Sequence, residues 1–416
     1  MKIRKVLVAQ GFGGYFWDDE AAMKAGTRRN GFTYLGKPLT PGFSAIRVPS
    51  QALCINLIFD DGQIAEGDCI AVQYAGRSGR DPIFWTDQYL PFFQKEIIPL
   101  LEGLEVNRFR SAAEDFDSKM IQGRRIHTSI RYGVTQAFLH GVARSRRLTM
   151  AEVIAEEYGT QIALNPVDQL CQIDQEWKVG TDKCILRRVP VFPHLQITSL
   201  ASFEKLQEFI PWIRKRIPQL VGSEFKPVLH FDLYATLGLK FKCSIPKMVQ
   251  WLQRTEKILS PYHLIIEEPV DMGSRDAQIE FMAALKAAKD AKGLGLFLCA
   301  DEWCNILEDI RTFAEGGAAD MIQVKAPDLG GVQNTIDGIL FCKAKGIKAY
   351  LGGSSCETVV SRRAMAHVAL ATQADLLLAS PGMGVDEGYT STYNEMVRAL
   401  ALIGEHRKGS GKDCSN

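Results

Sequence analysis

Hydrophobic and polar positions follow one rhythm up to about residue 160 and another beyond it. In the first stretch, KVLVAQ, the FSAIRV region and ALCINLIFDDGQIAEGDCIAV alternate or run apolar as strands do, and Asp61-Gly62 divides the last of them as a hairpin turn. Apolar residues then recur at helical spacing over Asp87–Leu101, Ser111–Met120 and Ile130–Ser145. In TMAE, the Thr149 hydroxyl and the Glu152 carboxylate can each satisfy the other's backbone N–H, a capping box ahead of Val153–Tyr158. Strands followed by helices predict an α+β unit over residues 1–160.

From Gln161 short apolar runs alternate with amphipathic segments. The runs are QIALNPV, VPVFPHL, PVLHFDLY, YHLIIEEPV, LGLFLCADEW, DMIQVKAPD, IKAYLGGSS and ADLLLASPG. Between them FEKLQEFIPWIRKRI, PKMVQWLQRTEKIL, RDAQIEFMAALKAAKD, LEDIRTFAEGG, NTIDGILFCKAKG and ETVVSRRAMAHVALAT read as helices. Ser244 and Pro246 open one of these, and Gly346 closes another behind Lys343 and Lys345. Eight strands separated by helices predict a (β/α)8-type barrel of roughly 250 residues. An open doubly wound sheet is the competing arrangement. The barrel is expected over residues 161–407, with a flexible polar tail at 408–416.

Composition narrows the function. The chain has 416 residues, 46% hydrophobic, with a formal net charge of +1, so no electrostatic argument favours nucleic acid or an anionic membrane. The opening MKIRKVLVAQGFGG reads as a first strand rather than a signal peptide, and no apolar run approaches the roughly 20 residues that cross a bilayer. Ten scattered cysteines without a C-x-x-C pair point to reduced thiols and a cytoplasmic location. GFGGYFWDD lacks the G-x-G-x-x-G spacing of a dinucleotide loop.

The chemistry lies where the apolar runs end. Asp232 ends VLHFD, Glu267 ends LIIE and Asp301 ends LFLCAD, each about one βα repeat after the last. In a barrel these positions share the C-terminal rim. One acid after a strand is commonly a helix cap, but three in register would repel one another without a cation, and an all-oxygen ligand set suits Mg²⁺. Lys325 ends the next run, IQVKAP, with Gln323 two residues earlier on the same face. An inward lysine beside a divalent cation loses its proton more readily and suits a general base, the structural alternative being an ion pair with an acid such as Asp328. His194 ends VPVFPH, where a barrel can set it across the site from Lys325, although alone it would read as a structural histidine. LGGSSCET, from Leu351 to Thr358, could offer backbone N–H groups to a carboxylate or form a plain turn. Gln73 and Tyr74 follow a strand of the first unit, and SPGMGVDEG follows the last strand.

HFDLYATLG, IEEPVD, ADEWCN, QVKAPDLGGV, GGSSCET and SPGMGVDEG, taken in order, resemble the signature segments of the methylaspartate ammonia-lyases of the enolase superfamily. GFTYLG, GDCIAVQYAG, GRDP and RRIHTSIRYGVTQA resemble the family's N-terminal capping domain. The resemblance implies an enolase-like modified TIM barrel of the α/β class with an α+β cap, acting as a carbon–nitrogen lyase on an amino-dicarboxylate. It implies Mg²⁺ on Asp232, Glu267 and Asp301, Lys325 as the base at C3 of (2S,3S)-3-methylaspartate, and His194 on the opposite face. Gln172, Gln323, Ser354 and Ser355 would hold carboxylate oxygens. Gln73 would lie near the amino group, and Tyr350, Leu378 and Met383 would shape the pocket. A homodimer and a monovalent cation such as K⁺ are also implied. The loop departs from the family's usual G-G-T-C-N-E-T, because Ser354 and Ser355 stand at the two contact positions, and Leu170 replaces a common aromatic. These departures bear on substrate breadth. Acid-sugar dehydration and catalytically silent anion binding are the competing functions.

Overall fold

The computed structural model describes residues 1–74, 79–173 and 176–409. The first unit is built on a three-stranded antiparallel sheet of β1 (Ile3–Asp18), β2 (Arg47–Phe59) and β3 (Ile64–Ile70), in that order. β1 runs well past KVLVAQ and carries the whole GFGGYFWD segment, with an irregularity between Phe12 and Phe16. Asp61 and Gly62 form the hairpin turn, Gly62 at a positive φ of 81°. Helix Thr128–Arg146 packs on β3, buried along most of its length, which is why its sequence shows little amphipathic contrast. The stretch Asp87–Leu101 is helical but contains a π turn at Phe93–Ile97. Thr149 and Glu152 form the expected capping box.

The second unit is a closed barrel of eight parallel strands. In chain order they are β4 (Gln169–Leu170), β5 (Val191–Gln196), β6 (Val228–Asp232), β7 (Leu264–Glu267), β8 (Phe297–Ala300), β9 (Met321–Lys325), β10 (Lys348–Gly352) and β11 (Leu376–Leu378). Closure occurs where β11 pairs with β4, so the open-sheet alternative does not apply. One expected strand is displaced: QIALNPV is not a strand, and β4 begins two residues beyond it. Pro166 has no N–H to give a central ladder, and Leu164 is 77% exposed, so apolar content alone misplaced the element. Helix Arg275–Asp290 falls where the periodicity placed it. The last helix, Tyr389–Gly409, carries Lys408 and Gly409, which were expected in the tail; residues 410–416 lie outside the described residues.

Alternate residues of the barrel strands point inward. Leu170, Val191, Ile265, Cys299, Met321 and Leu376 form an apolar plug inside the barrel, separate from the main core beneath the helices. Above the plug the inward side chains turn polar, and the first unit caps that end. Nine described cysteines are unpaired and seven of them are buried.

Candidate active site

Register places the acids. Asp232 and Glu267 are direct partners in the β6–β7 ladder, and Asp301 follows β8 immediately. All three are buried and line one cavity with Gln73, Gln172, His194, Gln323, Lys325, Ser354, Ser355 and Leu378. Its empty space, about 490 Å³ including the mouth, suits a small molecule.

The electrostatics call for a cation. Burial, with Glu267 and Asp301 nearby, pushes the Asp232 carboxyl well above its ordinary range. Burial pushes Asp301 up to about 7, with Lys325 opposing and Glu302 and Glu267 adding to the rise. Burial also works against a charged Glu267, but the imidazoles of His194 and His230 outweigh it and hold that carboxyl below the usual range. Among the described residues, six buried acids (Asp232, Glu267, Glu268, Asp301, Glu302 and Asp328) gather around the buried side chains of Lys325 and Arg80. Neither Glu267 Oε2 nor Asp301 Oδ1 receives a well-aligned hydrogen bond from the described residues. The residues therefore fit a divalent metal, and Asp232, Glu267 and Asp301 offer the oxygen donors that Mg²⁺ prefers. His194, His230 and Glu267 also bring ligand atoms within 4.8 Å of one another, a set whose imidazoles suit softer metals better.

Lys325 Nζ lies 2.7 Å from Asp301 Oδ1. Burial disfavours its ammonium, but Asp301 overrides this and holds the Lys325 pKa above its ordinary value. The partner is Asp301 rather than Asp328, which instead lies 2.6 Å from Arg80 Nε. Arg80 Nη1 also lies 2.7 Å from Glu302 Oε2.

His194 leaves the β5 ladder where the β5–β6 register slips, between the pairs Pro193–His230 and Leu195–Phe231. Its φ of 40°, rare for a residue with a Cβ, marks the bulge. Its Nε2 stands 3.3 Å from Glu267 Oε2, while His230 Nε2 stands 2.9 Å from the same oxygen. His230 was missed on sequence, although it sits two residues before Asp232 and so shares its face. Glu268 was missed as well. Its Oε2 accepts from the backbone N–H groups of Asp301 at 3.3 Å and Glu302 at 3.2 Å, fixing the strand end that presents Asp301. Arg80, Gln196, Tyr234 and Glu302 also line the cavity and were not anticipated.

The neutral side of the cavity is ordered by hydrogen bonds. Gln323 Nε2 donates to Glu267 Oε1, and its side chain lies over Gly352, where a Cβ would approach it to 2.3 Å. The Ser354 backbone N–H donates to Glu357 Oε1 at 2.5 Å, so this N–H serves the loop and not a ligand carboxylate. Gln73 Nε2 donates to Asp18 Oδ2 at 3.3 Å. Tyr350 packs beneath the lining, its ring centroid 6.0 Å from that of His230. Met383 does not join this cavity; it lines a separate cleft with Val359 and Arg363. The GFGG segment is explained by contact: Gly14 N–H donates to Cys356 O at 2.9 Å, and a Cβ on Gly14 would stand 2.2 Å from Glu357 O.

This arrangement offers oxygen donors to a divalent cation and amides to a small anion, with a lysine and an imidazole as candidate proton-transfer groups. Known proteins share the fold that carries it. A solved muconate cycloisomerase from Pseudomonas fluorescens shares the fold, at 18% identity and a TM-score of 0.61 over 90% of this chain and 86% of its own. A much nearer likeness is the magnesium complex of β-methylaspartase from Clostridium tetanomorphum, 42% identical with a TM-score of 0.92 over 98% of this chain and 100% of that one. The methylaspartate ammonia-lyase of Citrobacter amalonaticus, solved with (2S,3S)-3-methylaspartic acid, gives 37% identity and a TM-score of 0.94 over 97% and 100%. Methylaspartate ammonia-lyase 2 of Carboxydothermus hydrogenoformans is 45% identical over 97% of this chain and 99% of its own. The family models for the N-terminus and C-terminus of methylaspartate ammonia-lyase match residues 1–159 and 161–405. The likeness thus runs through both units, and the chain belongs to the methylaspartate ammonia-lyase family.

Proposed function

We propose that this chain is a methylaspartate ammonia-lyase that removes the C3 proton of (2S,3S)-3-methylaspartate and expels ammonia from C2, giving mesaconate, in a reversible reaction. One observation carries the reading: four successive strands, β6 to β9, present Asp232, Glu267, Asp301 and Lys325 to a single cavity. Relatives solved with magnesium and with the substrate support it.

Asp232, Glu267 and Asp301 would hold Mg²⁺, which supplies charge neutralisation for the substrate carboxylate beside C3. A proton next to a carboxylate is poorly acidic, and a lysine can accept it only as the neutral amine. Lys325 is the base, and its ion pair with Asp301 opposes the neutral state until Asp301 is otherwise engaged. His194 serves the opposite face, acting on the other diastereomer or returning a proton. Gln172, Gln323, Ser354 and Ser355 orient carboxylate oxygens. Gln73 addresses the amino group, and Leu378 borders the methyl group with Tyr350 behind it. The proposal extends to a division near residue 160, a K⁺ activator, a homodimer and a cytoplasmic location, the last supported by the unpaired cysteines. Among the described residues no helix is long and apolar enough to cross a membrane.

The test is an absorbance assay for mesaconate from (2S,3S)-3-methylaspartate, with Mg²⁺ and after chelation. Turnover that needs the metal is expected. No turnover with Mg²⁺ present, or water loss from sugar acids in its place, would overturn the reading.

A further inference from the structure

The cap ends its sheet with a buried charge pair that points at the reaction site. Asp18, the last residue of β1, and Arg47, the first of β2, are cross-strand partners. Arg47 Nε donates to Asp18 Oδ1 and Arg47 Nη2 to Asp18 Oδ2, both at 2.6 Å, a two-pronged contact that fixes the plane of the carboxylate. The guanidinium is itself immobilised. Its Nη1 donates to Phe32 O at 2.8 Å, and its Cζ lies 4.4 Å from the Phe32 ring centroid and 5.0 Å from that of Tyr34. Both side chains are almost fully buried, so the pair is neither screened nor free to swing away.

Among the described residues, the further side chain that reaches this carboxylate is Gln73. It is buried, lines the catalytic cavity and donates its Nε2 to Asp18 Oδ2 at 3.3 Å. An amide can face either way, and its two ends are opposite in hydrogen-bonding sense. An ionised carboxylate only accepts, so Asp18 selects the NH2 end and leaves the carbonyl oxygen as the acceptor on the other side. A substrate ammonium group, or ammonia in the addition direction, needs an acceptor of that kind.

We propose that Asp18, clamped by Arg47, is a positioning residue that orients the Gln73 amide so that its oxygen receives the amino group. The inference rests on the proposed function and concerns recognition of the nitrogen partner alone. Replacing Asp18 with a neutral amide would leave the Gln73 flip undetermined, with a donor presented to the ammonium as often as an acceptor.

The experiment runs the reaction from mesaconate and ammonia with Mg²⁺ and measures the two KM values separately for wild type, Asp18→Asn and Arg47→Lys. For Asp18→Asn the ammonia KM should rise about tenfold, the scale of one lost hydrogen bond to a charged group. The mesaconate KM should stay within about twofold, a separation that general loosening of the cap would not produce. Arg47→Lys keeps the cation but not the two-pronged contact. It should show an intermediate rise in the same KM, and it carries the test if Asp18→Asn does not fold. Parallel changes in both KM values, or an unchanged ammonia KM, overturn the positioning role. A wild type that adds no ammonia to mesaconate rejects the proposed function, and this inference falls with it.

Discussion

Arg80 Nε in the cap lies 2.6 Å from Asp328 Oδ2 in the barrel, three residues after Lys325. The same guanidinium holds Glu302, next to Asp301, so one cap residue braces the segments that carry the proposed base and a metal-ligand candidate. Arg80→Ala would remove the guanidinium that pairs with the buried Asp328 and Glu302 carboxylates. Breaking such a pair costs about 3–5 kcal/mol. A clear drop in the thermal midpoint is expected, together with a fall in kcat of at least about tenfold. A variant that melts like wild type would show that the brace contributes nothing.

Lys325→Ala should abolish mesaconate formation from the (2S,3S) substrate. Mg²⁺ should still raise the thermal midpoint of this variant, because Asp232, Glu267 and Asp301 remain and binding to the folded state alone stabilises it. Undiminished turnover would reject Lys325 as the base. A vanished metal-dependent shift would mean that Lys325 is needed to assemble the acids.

His194→Ala should lose activity mainly toward the other diastereomer of 3-methylaspartate, since Lys325 still addresses its own face. Initial rates on the two diastereomers, each with saturating Mg²⁺, decide the matter. Equal losses on both would assign His194 to a shared step, such as holding Glu267, whose Oε2 stands 3.3 Å from its Nε2.

His140 should make the protein acid-sensitive away from the active site. Burial, assisted by Arg363, lowers its pKa to about 4, while its Nδ1 accepts from Glu66 N–H at 3.1 Å. Unfolded, the imidazole titrates near about 6.5. Between these values the unfolded chain binds the extra proton, so this contribution is complete above about 6.5 and is lost as pH falls toward 4. His140→Gln keeps an acceptor for Glu66 but does not titrate. Thermal melts from pH 7 to 4.5 should fall less steeply for the variant, and identical slopes would contradict the assignment.

Much of this site could be read from the chain because strand ends recur with the βα repeat. Asp232, Glu267, Asp301 and Lys325 each terminate an apolar run, so spacing alone brought them to one rim. Alternation within β6 also implied His230, but a histidine between Leu229 and Phe231 looks like core filling until its partner Glu267 is known. Contacts that depend on docking left no local trace. Arg80 reaches Asp328 across 248 positions of chain, and Gln73 meets Asp18 across 55, separations that periodicity does not encode. Gln161–Val167 misled in the opposite sense, since its apolar residues serve a connection and not a ladder. Met383 lies within the turn-rich loop after the last strand, yet it lines another cleft.

The touch of Gly14 on Cys356 has a consequence for how activity arises. The barrel does not shape its serine loop by itself, because a strand from the opposite end of the polypeptide presses on it. Neither half, however well folded, owns a finished catalytic centre. During refolding, the recovery of turnover should therefore trail the recovery of helical structure and report the moment at which the two halves join.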